Sequence, residues 1–576
     1  MYVLGLNAVF HDSAACILED GKLVAAAEEE RFTQIKHGKR PIPFSTYELP
    51  FHAVDYCLKT AGIHLNDVDH ISYSFDPSLL LGDHNGKTEV SIPLNPENNA
   101  AFSEWNSPWD PLFLSSIVNA PGQLVDGYPH HLQPRFIGAT KDMAKWHFTE
   151  HHIAHAASAF FPSPFNSAAV LTLDGRGEIA TTTYNIGTGN ELTRIGQVDM
   201  PHSLGFLYER LTTYLGFLHS SDEYKVMALA SYGKPVFIND FRDMINIGEN
   251  GMYTITNENL EGRFGSSRLK NDPFTEHHFN IAHSLQLVLE ETVLELVHWL
   301  HKQTGEKNLC LAGGIALNCV LNARIRDKGP FENVWVQPAA GDAGTALGAA
   351  IWTDIQERKN NVEKSVMSHA YWGPEYSDKD IEKFLIWAKV PYKKMEDVAT
   401  ETAAILAENK IIGWFQGRME FGPRALGSRS ILASPIDPSM QAKLNEVKDR
   451  EDFRPVAPVV LEEDANEWFE NATVSPYMLF VHNVRADKAC KIPAVRHVDG
   501  TARIQTINRQ QHPRYYDLLK AFKEKTGVPV LVNTSFNTLG KPIVCTPRHA
   551  LECFWSSPFD SLIMGSFLIE KENGAN

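Results

Sequence analysis

Residues 3–32 read VLGLNAVFHDSAACILEDGKLVAAAEEERF. The stretch predicts a strand, a loop of small and polar residues, a second strand, a hairpin turn at Asp20-Gly21 and a third strand, because apolar runs bounded by turn formers fold that way. Residues 168–196, AAVLTLDGRGEIATTTYNIGTGNELTRIG, follow the same plan. An apolar strand ends in the polar loop Asp174-Gly175-Arg176-Gly177, and a second strand runs to a Gly-rich turn near Gly187 to Asn190. Two such units, about 165 residues apart, predict a duplicated α/β architecture of two lobes whose loops face one cleft.

Working outward, SLQLVLEETVLELVHWLHKQTG from Ser284 carries apolar residues at three- and four-residue spacing and predicts a helix that stops at Gly305. NLCLAGGIALNCVLNARI predicts a short strand, a Gly-Gly turn and a helix bearing Asn318, and a further helix follows GDAGTALGAAIW. The polar stretch QERKNNVEKSVMSH from Gln356 reads as a linker, and YWGPEYSDKDIEKFL then starts afresh with turn residues and an acidic helix start. The expected division is a domain over 1–355, a linker over 356–369 and a second domain over 370–576.

Composition narrows the function classes. At 576 residues one hydrophobic core is too small a plan, and three or four folding units are expected. The 43% hydrophobic content is that of a globular chain, with no apolar run long enough to cross a bilayer. The amino terminus lacks the basic region of a signal peptide, so the protein is expected in the cytoplasm, away from membranes. A net charge of −17 repels nucleic acid except at a locally basic patch. The seven scattered cysteines, Cys16, Cys57, Cys310, Cys319, Cys490, Cys545 and Cys553, form no C-x-x-C pair and read as buried structural thiols.

Four constellations carry chemistry. His151 and His155, in EHHIAH, are four apart, so a helix would project both imidazoles from one face toward one ion. Asp174 ends a predicted strand and Asp342 precedes a predicted helix, the places where α/β clefts collect ligands. Two imidazoles and two carboxylates suit iron, manganese or zinc better than copper or calcium. Gly313-Gly314 would let a nucleotide approach the backbone, with Asn318 on the helix beyond. Lys225, the basic residue in the largely apolar EYKVMALASYG, could reach a phosphate. Lastly, QGRMEFGPRALGSRSIL and NEVKDREDFRPVAPVV gather Arg418, Arg424, Arg429, Lys448, Arg450 and Arg454 among glycines and prolines, a polyanion site in an acidic chain. The competing reading is salt bridges to Glu420, Asp449, Glu451 and Asp452. Arg503, and the Asn533-Thr534-Ser535-Phe536-Asn537 run after an apolar strand, add groups fit to hold phosphate or ribose.

These segments, together with AEEERF and its following Lys36-His37, and in this order, resemble the carbamoyltransferase family typified by the nodulation, cephamycin and tobramycin O-carbamoyltransferases. The resemblance covers nearly the whole chain. It implies an amino-terminal Kae1-like domain of the actin, Hsp70 and sugar-kinase fold and a carboxy-terminal YrdC-like α/β domain. It implies that carbamoyl phosphate and ATP, with Mg2+, give carbamoyl adenylate in the second domain, and that the first passes the carbamoyl group to a small-molecule hydroxyl. By position, His151, His155, Asp174 and Asp342 match an Fe(II)-type metal site and His11 a general base. Lys448, Arg454, Arg503 and Ser535 match the adenylation site, and Arg424 its Gly-Pro-Arg motif. Lys36, Lys225, Gly313, Gly314, Asn318, Arg418, Arg450 and Asn533 are the further expected cofactor contacts. Residues 76–136 match no motif and are expected to form an insertion over the acceptor pocket, with Trp105, Trp109 and Phe113 as candidates to line it. A homodimer is left open. Two rival readings are a tRNA threonylcarbamoyl-adenosine enzyme, which the acidic charge disfavours, and a sugar-kinase or Hsp70-like ATPase, which leaves the Arg-rich segment unexplained.

Overall fold

The computed structural model describes residues 1–38, 49–81, 110–126, 135–136, 138–140, 142–359, 363–538 and 540–571. Strands β1 (Tyr2–Asn7), β2 (Ala14–Glu19) and β3 (Lys22–Glu28) form the antiparallel unit expected from residues 3–32. Strands β4 (His70–Tyr73) and β5 (Lys145–Phe148) add in parallel, giving the order β3-β2-β1-β4-β5. Helix α1 (Phe51–Ala61) covers one face, and its Phe51, Val54, Cys57 and Leu58 join the core built by Leu4, Leu6, Ile17 and Ile71.

The second sheet repeats this plan. Strands β6 (Ser167–Leu173), β7 (Ala180–Thr188) and β8 (Glu191–Asp199) are antiparallel, and β9 (Asn308–Ala312) and β10 (Asn333–Val336) pair in parallel, in the order β8-β7-β6-β9-β10. Both sheets therefore follow order 3-2-1-4-5 with the same directions, the duplicated α/β fold of the actin, Hsp70 and sugar-kinase type expected from the sequence. Two helices join them: α2 (His151–Phe160) and α3 (Ala343–Arg358). They pack closely because Gly348 has no side chain: a Cβ there would stand 1.7 Å from the Ala154 carbonyl oxygen.

The chain forms two compact units. The first comprises 1–205, 304–316 and 333–366; the second comprises 206–303, 317–332 and 367–576. The last passage between them falls at 366/367, and 206–303 and 317–332 group with the carboxy-terminal residues. Specific bonds hold them there. Lys225 pairs with Glu451 at 3.0 Å, Asn322 Nδ2 donates to the Leu479 carbonyl at 3.1 Å and Arg326 Nη1 to His482 Nε2 at 2.8 Å.

The second unit is built on an eight-stranded sheet. Its strands are β11 (Lys393–Lys394), β12 (Ile412–Phe415), β13 (Arg429–Ala433), β14 (Ala457–Leu461), β15 (Gln505–Ile507), β16 (Val530–Ser535), β17 (Ser561–Met564) and β18 (Phe567–Glu570), in the order β11-β18-β17-β12-β13-β16-β14-β15. The helix predicted from Ser284 begins earlier, at Glu276, and runs to Thr304 before Gly305. The acidic start at 378 is a capping box: Ser377 accepts from the Asp380 N–H while the Asp380 carboxylate accepts from the Ser377 N–H. All seven cysteines are free and six are buried; Cys490, expected inside, is exposed. Among the described residues no helix is long and apolar enough to cross a membrane.

Within 76–136, short helices cover Ser78–Leu81, Asp110–Val118 and Ala120–Asp126. Trp105 and Trp109 lie outside the described residues. Phe113 is buried in the core of the first sheet, stacked on Phe10 with ring centroids 5.5 Å apart and edge-on to Phe75 at 5.4 Å.

Candidate active site

The first unit gathers His151, His155, Asp174 and Asp342 into a ring, all buried, with one donor atom from each within 4.8 Å of the others. Local structure explains each placement. As predicted, α2 carries both imidazoles on one face. No side chain of Glu150 caps this helix; the Glu178 carboxylate does so instead, accepting the His151 N–H at 3.0 and 3.1 Å and the Asp76 N–H at 2.6 Å. His151 Nδ1 donates to the Ser74 carbonyl at 3.2 Å, which leaves Nε2 for the ring.

Asp174 follows β6 directly. Its Oδ1 accepts the Gly314 N–H at 2.7 Å, so Oδ2 turns to the imidazoles. Gly313 makes this approach feasible. It adopts φ +93°, and a Cβ there would lie 2.2 Å from the Leu173 carbonyl oxygen. In this structure the glycine pair thus serves the Asp174 strand. Asp342 precedes α3 without a side-chain cap bond, and both its oxygens, at the positive end of the helix dipole, have no hydrogen-bond partner among the described residues.

His151 Nε2 stands 3.5 Å from Asp174 Oδ2 and 3.6 Å from Asp342 Oδ1; His155 Nε2 stands 3.8 and 3.7 Å from the same atoms. These separations exceed hydrogen-bond length. Both Nε2 atoms and both Asp342 oxygens are buried with no hydrogen-bond partner among the described residues. Buried polar atoms left in that state are costly unless something binds them, and two imidazoles with two carboxylates are the donor set of a borderline divalent ion. The electrostatics agree. Burial would lower His151, yet Asp174 and Asp342 hold it well above the usual histidine range; burial would raise Asp342, yet His11, His151 and His155 lower it.

His11 lies at the rim, with Nδ1 2.9 Å from Asp12 Oδ2 and 3.8 Å from Asp342 Oδ2. Burial opposes its protonation, but Asp342 and Asp12 outweigh it and raise the imidazole to about 10. Asp12 also accepts from His37 Nδ1 at 2.7 Å. Phe10, Asp12 and His37 all have positive φ, 46°, 54° and 63°, a local cost that marks functional loops. Lys36 sits on the adjacent turn Lys36–Gly38, tied to this loop by the Asp12 N–H on the His37 carbonyl at 3.1 Å. The single-sequence reading did not assign Asp12, His37 or Glu178. Their signal was adjacency: each lies inside or beside a segment already singled out for another residue.

The second unit brings together Arg424, Lys448, Arg450, Arg454 and Arg503, close enough to shift one another. Burial, then Arg450 and Arg454, push Lys448 well below the usual lysine range. Burial and Arg454 lower Arg450 to about 9, and burial and Arg503 lower Arg424 to about 9. Lys448 Nζ donates to Ser535 Oγ at 3.1 Å and Asn537 Oδ1 at 2.7 Å, which joins it to the end of β16. Arg424 Nε and Arg503 Nε are buried without a hydrogen-bond partner among the described residues. Arg454 lies over the Tyr224 ring at 4.8 Å and pairs with Glu451 at 3.4 Å; Lys225 pairs with the same carboxylate and with Asp222 at 3.2 Å. So the salt-bridge alternative holds for Lys225 and in part for Arg454.

Three further expected contacts already have partners within the protein. Arg418 Nη2 donates to the Trp372 carbonyl at 2.8 Å. Asn533 is buried, with Nδ2 on Gln505 Oε1 at 2.7 Å. Asn318 does not ride the helix Cys319–Lys328 but caps it, accepting the Leu321 N–H at 3.0 Å. Arg429 is an internal staple, donating to the carbonyls of Gln416, Gly417, Ser428 and Pro374.

The fold is two-lobed α/β, with a buried donor ring in one unit and a cation cluster in the other. The chain belongs to the carbamoyltransferase family: the model for the carbamoyltransferase N-terminus matches residues 2–351 and that for the C-terminus residues 403–571. It is a carbamoyltransferase. The chain is 40% identical to the uncharacterized protein sll1178 of Synechocystis over 99% of its own length and 97% of that protein, and 38% identical to the nodulation protein NolNO of Sinorhizobium fredii over 99% and 80%. Among solved structures it is similar to the (R)-2-hydroxyglutaryl-CoA dehydratase component A of Acidaminococcus fermentans, at 14% identity and a TM-score of 0.34, over 62% of this chain and 100% of that one.

Proposed function

We propose that the enzyme is an ATP-dependent O-carbamoyltransferase that makes carbamoyl adenylate and passes its carbamoyl group to a hydroxyl of a small molecule. The observation that carries this reading is the cluster of five cations, Arg424, Lys448, Arg450, Arg454 and Arg503, in a chain of net charge −17. Mutual repulsion among clustered, partly buried cations is sustained when an anion of several charges lies between them. Carbamoyl phosphate and the triphosphate of ATP, with Mg2+, meet that description. Water hydrolyses carbamoyl phosphate to carbamate and phosphate, a carbamate oxygen then bonds to the α-phosphorus of ATP, and pyrophosphate departs. Lys448, held by Ser535 and Asn537, and the neighbouring arginines stabilise the extra negative charge.

Transfer belongs to the first unit. The acceptor hydroxyl bonds to the carbamoyl carbon, its proton goes to protein and AMP leaves. Asp12 accepts the His11 Nδ1–H, and a divalent ion held by Asp342 would offset the carboxylate charge that keeps His11 protonated, which frees Nε2 to take the proton. His151, His155, Asp174 and Asp342 would hold a divalent ion, Fe(II) or a chemical neighbour, which supplies positive charge against the phosphate of the leaving AMP.

Lys448→Met should abolish carbamoyl-phosphate-dependent exchange of pyrophosphate into ATP yet leave transfer from supplied carbamoyl adenylate. His11→Ala should do the reverse. ADP as the sole nucleotide product would identify a kinase, and equal loss of both steps in each variant would refute the division of labour.

A further inference from the structure

Beyond the ring, the first unit holds a second set of metal-ligand side chains. Alternate residues His70 and Ser72 of β4, and Ser74 just beyond it, follow the same alternation. Thr345 Oγ1 of α3 donates to Ser74 Oγ, and Thr353 Oγ1 to Ser72 Oγ, each at 2.9 Å. Thr149, just after β5, completes the second rung with its Oγ1 3.0 Å from Ser72 Oγ. Glu357 is four residues beyond Thr353 and therefore on the same face of α3. It forms the outermost rung with His70 and His147. His70 Nδ1 lies 3.0 Å from His147 Nε2, which lies 3.9 Å from Glu357 Oε1.

We propose that His70, His147 and Glu357 form a second divalent-metal site of the zinc class, separate from the ring. One donor atom from each residue falls within 4.8 Å of the others. Two imidazole nitrogens and one carboxylate oxygen are a zinc donor set, with water free to complete four-coordination because the His147 and Glu357 side chains are 20% and 28% exposed. The ligands stand on two strands and a helix already registered by the hydroxyl rungs, so little ordering is needed on binding. Lys145 now pairs with Glu357, but its side chain is 62% exposed and free to swing into solvent.

The bound ion would clip β5 to the carboxy end of α3. These two elements lead to three of the four ring residues: β5 runs through Thr149 into His151 and His155, and α3 begins at Asp342. At the inner end of the same stripe the Ser74 carbonyl holds His151 Nδ1. The outer site is thus a structural clip on the scaffold of the inner one.

Full-length protein, stripped by chelator and dialysed against Zn2+, tests this by elemental analysis. His147→Ala and the milder Glu357→Gln should each retain one zinc per chain fewer than wild type, and calorimetric titration should show that ion's affinity falling at least tenfold in Glu357→Gln. Circular dichroism verifies that each variant is folded, and Glu357→Gln, at a surface position, keeps the test valid should His147→Ala misfold. Zinc content and affinity unchanged in the folded variants would overturn the assignment and leave His70 and His147 as a simple hydrogen-bonded pair.

Discussion

At the residue scale, single atoms decide whether the ring can form. Gly313 combines a positive φ with a carbonyl oxygen where a Cβ would stand. Gly313→Ala should destabilise the protein by about 2 kcal/mol or more, read as a fall in the denaturation midpoint, because both strain and clash act against it. It should also weaken metal retention, since Asp174 depends on the neighbouring Gly314 N–H. Asp342 presents two unbonded buried oxygens, so Asp342→Asn keeps the shape and removes the charge. Metal analysis after chelator challenge should show the ring ion lost at chelator levels the wild type survives.

At the element scale, the helices are held by caps that a window of sequence does not display. Glu178 closes the amino end of α2 from a loop 27 residues away and at the same time holds Asp76. Glu178→Ala should free that helix end, and a ligand-positioning contact of this kind is worth about 10–100-fold in metal affinity, measurable by competition with a chelator. Asn318→Ala removes a conventional N-cap and should cost about 1 kcal/mol in chemical denaturation. Because Asn318 also bonds Gln286, the loss should fall at the upper part of the usual range for caps.

At the scale of the whole molecule, two buried histidines make stability depend on pH. His482 and His512 are each held at about 4, by burial first and then by Arg326 for His482 and Arg514 for His512. The His512 imidazole accepts the Tyr515 N–H as a helix cap, a role open only to the neutral ring. The folded state therefore binds fewer protons than the unfolded one between about pH 4 and the ordinary histidine value near 6.5. Stability from these groups is complete above about pH 6.5 and is lost as pH falls toward 4, by up to about 3 kcal/mol each. Denaturation midpoints measured from pH 7 to 4.5 should fall steadily, and His512→Gln should flatten the slope.

The duplicated strand plan, the helix pairing His151 with His155, the places of Asp174 and Asp342 and the basic cluster were all legible in the sequence. Each follows from local rules: alternation, turn residues, helical spacing and composition. What local rules do not contain is contact between distant segments. The grouping of 206–303 with the carboxy-terminal residues includes pairs such as Lys225 with Glu451, and the sorting of arginines into internal staples and members of the cation cluster rests on which carbonyls lie within reach. Glu178 as a cap, the Asp12 bridge between His11 and His37, and the meeting of His70, His147 and Glu357 depend likewise on strand register and helix packing. The sequence by itself determined which chemical groups were present and on which elements; only the tertiary structure decided which groups face one another, because hydrogen bonds and charges act over a few ångströms, whatever the distance along the chain.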